Sequence, residues 1–164
     1  MKYSINKHIQ MFATWTAARA VQRSFTTTKK IKAAIEKTSL PSFSKLKIRT
    51  DADFEDFHRI CAKTIMHSLK KEKCTYGRAS KIIAVYLKTT IILPLNGKGR
   101  ICSLIHCPID RILLTNIAKE QKLKHLKKTI WTKLNEEKYW QLILELRAND
   151  LTPDWKLEEH WEIN

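Results

Sequence analysis

Glycine is nearly missing from this chain, with three in 164 residues, and proline is hardly commoner, with four. Sheets of many strands need tight turns, and tight turns draw on those two residues, so such folds are excluded. Apolar residues at helical spacing fill the long gaps between them, and the chain reads as all-α. Long hydrophobic runs are also lacking: the longest candidate, Ile82 to Leu93, is broken by Lys88 and stops at Pro94. That is too short to span a bilayer. The four cysteines, Cys61, Cys74, Cys102 and Cys107, are irregularly spaced with no secretory signal before them, which points to reduced thiols rather than a disulfide framework. Cys102, His106 and Cys107 lack the paired short spacing and the second half of a structural zinc site, so no metal or other cofactor is expected.

Acidic residues are absent from the first 35 positions, and positive charge takes their place. The net charge is +15, distributed as +10 over residues 1 to 50, +10 over 51 to 135 and −5 over 136 to 164. A basic excess of this kind attracts phosphate through counterion release, without regard to sequence. A polyanion, DNA or RNA, is the expected partner. No segment shows the apolar face with aromatic anchors of a membrane-surface helix, so no membrane partner is expected. The acid-free, Ser- and Thr-rich start with Arg19 and Arg23 also matches a mitochondrial transit peptide. The stripe Ile9, Phe12, Ala13, Thr16, Ala17 and Ala20 favours a buried helix instead. The expectation is a cytoplasmic monomer, nucleoid-associated in a bacterium, with mitochondrial import left open.

The length suits one domain over residues 1–164: N-terminal helices in 1–50, a central region in 51–118 and C-terminal helices in 119–164. A first helix is expected from Ile5 to Gln22, with Met11 and Trp15 on or beside its packing face. A short basic helix capped by Thr28 follows, and Ser39 to Thr50 reads as a linker or extended segment. Asp51 and Asp53 open a third helix with Phe54, Phe57, Cys61, Ile65 and Leu69 inward. His58 and His67 beside that face read as structural. Gly77 is the only glycine among the first 96 residues. It reads as a turn between two helices, the second running from Ser80 to about Leu93. Pro94 to Leu104, with Lys98 and Arg100, reads as a flexible basic loop; Pro108 and Asp110 open a fifth helix, and Asn135 to Ala148 forms another. The tail with Trp155 and Trp161 is expected to pack back on the body.

A glycine turn at a helix start, followed by Arg78, Ser80 and Lys81, is the local chemistry of a phosphate site. Asp110, twenty-nine positions beyond Lys81, is the only acid between Glu72 and Glu120. Together, Gly77-Arg78-Ala79-Ser80-Lys81 before an apolar helix and Pro108-Ile109-Asp110 before another resemble the helix-hairpin-helix DNA glycosylase superfamily, in particular its 8-oxoguanine branch. The likeness covers about residues 70 to 118. Two positions depart from the family pattern: the second hairpin glycine is Ala79, and the usual Leu-Pro is Thr75-Tyr76.

The resemblance implies two small helical lobes around a cleft that holds DNA rather than RNA. It makes Lys81 the catalytic amine and Asp110 the essential carboxylate of a base-excision enzyme with lyase activity. Gly77, Arg78, Ser80, Lys98 and Arg100 would bind the DNA backbone. The extruded base would need aromatic walls, for which Trp15, Trp131, Tyr139 and Trp140 are the candidates. A non-catalytic nucleic-acid-binding module with the same fold is the alternative.

Overall fold

A computed structural model describes residues 3–162, and among them every regular element is helical and none is a strand. Seven α-helices follow in order: α1 (Ile5–Val21), α2 (Thr28–Glu36), α3 (Asp51–Ser68), α4 (Tyr76–Leu87), α5 (Arg100–Leu104), α6 (Arg111–Glu120) and α7 (Glu136–Ala148). Short 3-10 segments join them, and a π-helical turn, Lys88–Ile92, extends α4. No helix among the described residues is long and apolar enough to cross a membrane.

Helix α4 is the hub. Its residues Tyr76, Ile82, Ile83, Tyr86 and Leu87 are fully buried, and it packs against α1, α3 and α7. Helix α1 meets it through small side chains, Ala13, Ala17, Ala18 and Val21, which allow the two backbones to approach closely. Ala13 and Ala17 of the expected stripe are buried and Ile9, Thr16 and Ala20 partly so, but Phe12 departs from it: Phe12, Met11 and Trp15 point outward, about half exposed.

Side-chain caps start most of the longer helices, and they explain where each begins. Ser4 caps α1, and Thr27 rather than Thr28 caps α2. Thr50 and Asp53 form a reciprocal capping box at α3, and Asn135 caps α7. The expected linker at Ser39 to Thr50 contains a 3-10 turn, Leu40–Lys45, that buries Leu40 and Phe43. The basic loop after Pro94 contains α5. Gly97 and Gly99, at φ +67° and +86°, supply its left-handed turns, and Trp155 of the tail lies against Gly97 where a Cβ would stand.

Candidate active site

The N-terminus of α4 is built differently from a glycine turn. Thr75 is the cap, and Gly77 lies inside the first turn of the helix. What requires glycine here is packing: a Cβ would stand 2.0 Å from the carbonyl oxygen of Trp131 and 3.2 Å from Leu134 Cβ. The segment Trp131–Lys133 and Leu134 press directly on the helix start. Gly77 N–H donates to the Leu134 carbonyl at 3.0 Å, and Arg78 N–H to the Thr75 hydroxyl, which itself donates to the Thr132 carbonyl.

The expected phosphate site is therefore corrected. Gly77 and Ser80 are buried, the Gly77 and Arg78 amides have internal partners, and the Ser80 hydroxyl donates to the Tyr76 carbonyl. Arg78 is half-buried with its guanidinium 4.6 Å from the centre of the Phe25 ring. Lys98 and Arg100 remain exposed on the loop before α5, where Arg100 holds the Arg49 carbonyl at 2.8 Å.

One turn beyond Gly77, the structure joins the two residues that stood apart in sequence. Lys81 Nζ lies 3.0 Å from Asp110 Oδ2, and both side chains are mostly covered, at 12 % and 13 % exposure. Asp110 is the N-cap of α6, and its Oδ1 accepts the Leu113 N–H. The ammonium of Lys81 sits 4.6 Å from the centre of the Trp131 ring, so this indole forms one wall of the pair. The second wall escaped the sequence reading: Trp161 donates its indole N–H to Asp110 Oδ2 at 2.9 Å. Helix α6 fixes the chain that carries Trp161, because Asn116 donates to the carbonyls of His160 and Glu162 and Glu120 pairs with His160.

Burial alone would push the Asp110 carboxyl up. The Lys81 ammonium, the Leu113 amide and the Trp161 indole outweigh it and hold the group below its ordinary value of 3.8. Asp110 is thus ionised at neutral pH, an anion facing a primary amine against an aromatic ring. The carboxylate is a counter-ion 3.0 Å from the amine, and it is the nearest acceptor for any proton the amine gives up.

The other proposed pocket walls lie elsewhere. Tyr139 and Trp140 are buried in an aromatic cluster with Phe54, His58, Tyr76 and His106. His58 meets the Tyr76 hydroxyl at 3.0 Å, Trp140 donates to that same hydroxyl at 3.1 Å, and His106 meets the Tyr139 hydroxyl at 3.1 Å. These rings fill the core and leave no room for a base. Trp15 stands on the outer face of α1, stacked with Phe12. Cys102 donates to the Lys98 carbonyl, and no group of three potential ligands among the described residues is arranged to hold a metal.

The most pronounced grooves among the described residues, of about 340–520 Å³, lie elsewhere, and neither Lys81 nor Asp110 lines them. No family model matches the chain, and no curated protein or solved structure matches it.

Proposed function

We propose that this protein binds DNA and excises a base from it, with Lys81 as the attacking amine and Asp110 as the carboxylate that takes up its proton. The observation that carries this reading is the 3.0 Å contact between Lys81 Nζ and Asp110 Oδ2 beside the Trp131 ring, made across twenty-nine residues of sequence. An exposed ion pair contributes at most about 1 kcal/mol and would carry little meaning. This one is nearly covered, and it stands in a chain whose first 135 residues carry all of the positive excess.

The chemistry follows from those groups. Lys81 Nζ, after giving a proton to Asp110, bonds to C1′ of the deoxyribose as the bond from C1′ to the base breaks. The electron pair of that bond leaves with the base, which takes the proton from Asp110. One amine proton then passes to O4′ as the C1′–O4′ bond breaks, which opens the sugar to a protonated Schiff base. Loss of a C2′ proton expels the 3′ phosphate with the electron pair of the C3′–oxygen bond and cuts the strand. Once Asp110 has handed its proton to the departing base it is ionised again, and it then pairs with the cationic sugar–amine adduct. The nucleotide must leave the stack to reach the amine, and Trp131 and Trp161 are the rings beside the reacting groups. Lys98, Arg100 and the half-buried Arg78 are the proposed contacts to the DNA backbone, in a two-lobed, glycosylase-like arrangement that acts as a monomer in the cytoplasm or nucleoid.

Borohydride reduction with a duplex containing an abasic site tests the reading. The wild-type chain should become covalently linked through Lys81, and Lys81→Gln should bind the same duplex without being trapped. Equal trapping of the two proteins would sink the assignment.

A non-catalytic nucleic-acid-binding module is the second reading, favoured by one observation. Both Asp110 oxygens already have donors, and Trp161 closes one side of the pair. Salt-dependent binding of duplex with no trapping by the wild type would select it.

A further inference from the structure

Helix α1 carries its large apolar side chains on the wrong side for a core. Alanines and a valine face α4, while Ile5, Met11, Phe12 and Trp15 are 70 %, 54 %, 51 % and 52 % exposed. Among the described residues, none of these four packs into the core. The Phe12 and Trp15 rings lie nearly parallel, 27° apart with centres at 5.9 Å, and the Arg19 guanidinium sits 6.0 Å from the Trp15 ring. Beside this platform runs a groove of about 340 Å³, with Lys7, Met11 and Trp15 on one wall and Thr28, Lys32 and Ile35 on the other. Seven Lys or Arg residues precede the first acid of the chain, Glu36. Glu36 also lines the groove and lies 3.8 Å from Lys32.

We propose that the Phe12–Trp15 platform and the groove between α1 and α2 form a binding site for single-stranded nucleic acid. Bases stack on the two rings and enter the groove, while Lys7, Arg19 and Lys32 hold the phosphates. This combination of flat rings and interleaved cations is how proteins grip single strands without reading sequence. Charge complementarity selects an anionic partner, and the placement of the cations selects nucleic acid over lipid. A helix lying on a bilayer keeps its charges at the edges of its apolar face. Here Arg19 stands seven residues from Phe12 and four from Trp15, and His8 four from Phe12 and seven from Trp15, so both lie in the middle of that face. Insertion would bury Arg19 at the deepest point. The site uses none of the residues assigned to base excision and holds whether or not Lys81 reacts.

Anisotropy titration of the full chain with labelled oligo-dT and oligo-rU, over a series of salt concentrations, tests it. Trp15→Ala should weaken binding by about 5- to 150-fold, the loss expected for one stacked base, and leave the salt slope unchanged. The Lys7→Ala, Lys32→Ala double variant should reduce the slope by about 1.4, two phosphates' worth of counterions on a single strand. Heparin, a polyanion without bases, should bind wild type and Trp15→Ala alike, and the tighter of the two oligonucleotides tells DNA from RNA. Undiminished oligonucleotide binding by Trp15→Ala overturns the proposal. So does a Trp15-dependent affinity for vesicles of equimolar phosphatidylcholine and phosphatidylserine that exceeds the affinity for either strand.

Discussion

A Cβ on Gly77 would stand 2.0 Å from the Trp131 carbonyl oxygen, a separation no substitution can accept without moving backbone. Gly77→Ala should therefore cost about 2–4 kcal/mol, from overpacking and the weakened hydrogen bond to Leu134. For a chain of this size that corresponds to a fall in Tm on the order of 10 °C. The order of variants separates packing from turn geometry. In a left-handed turn asparagine is tolerated better than alanine, whereas at this crowded helical position Gly77→Asn should be the worse of the two. Gly99→Ala is the control, since among the described residues no atom beyond its chain neighbours lies within 4 Å of the Cβ position and only its positive φ is strained.

Asp110 joins two structural tasks, the cap of α6 and the ion pair with Lys81. Asp110→Ala removes both and should cost about 3 kcal/mol at neutral pH, with a charge left nearly covered and a helix uncapped. Asp110→Asn keeps a capping oxygen and should cost less. Because the folded carboxyl titrates below its ordinary 3.8, its contribution is fully present above 3.8 and is lost as pH falls through the lower folded value. The stability gap between wild type and Asp110→Asn, measured by urea unfolding, should therefore close in strong acid. A gap independent of pH would deny the charge any part in it.

The fold was legible where its cause is local. Helical spacing placed α7 nearly to the residue, the acids Asp51 and Asp53 marked the start of α3, and an isolated acid before an apolar run marked Asp110 as the start of α6. Contacts between distant segments were not legible. Scarcity made Gly77 conspicuous without telling a turn from a close approach by Trp131, fifty-four residues away. Tyr139 and Trp140 could be read as buried or as pocket walls on identical spacing, and only their partners His58, Tyr76 and His106 decide for the core. On α1, the usual rule that large apolar residues turn inward failed, because the close fit to α4 admits only small ones.

Trp161 offers a direct handle on the site. Its indole N–H is one of the donors that hold the Asp110 carboxyl low, and phenylalanine keeps the ring shape while removing that donor. In Trp161→Phe the Asp110 carboxyl should titrate at a higher pH than in the wild type, as followed by carbon NMR of the side-chain carboxyl. Trp161→Ala should also uncover the Lys81–Asp110 pair and speed borohydride trapping with an abasic duplex. An unshifted titration in the phenylalanine variant would mean that the hydrogen bond to Trp161 is not maintained in solution.

The buried histidines make the fold sensitive to mild acid. His58 is held down to about 3, chiefly because burial penalises its charged form and secondly because Arg59 is near. His106 is held well below its ordinary value by burial, by His58 and by Arg147. Between pH 6.5 and 3 the unfolded chain takes up a proton on His58 that the folded chain refuses. Stability is thus whole above 6.5 and declines as pH falls toward 3, by up to about 1.4 kcal/mol per pH unit for each such histidine. His58→Gln removes one of these protons from the balance. The variant should be less stable near neutrality, having lost the contact with Tyr76, yet its stability should fall less steeply with acid than that of the wild type. Parallel slopes for the two proteins in denaturant titrations across that range would show that His58 does not titrate between the folded and unfolded states.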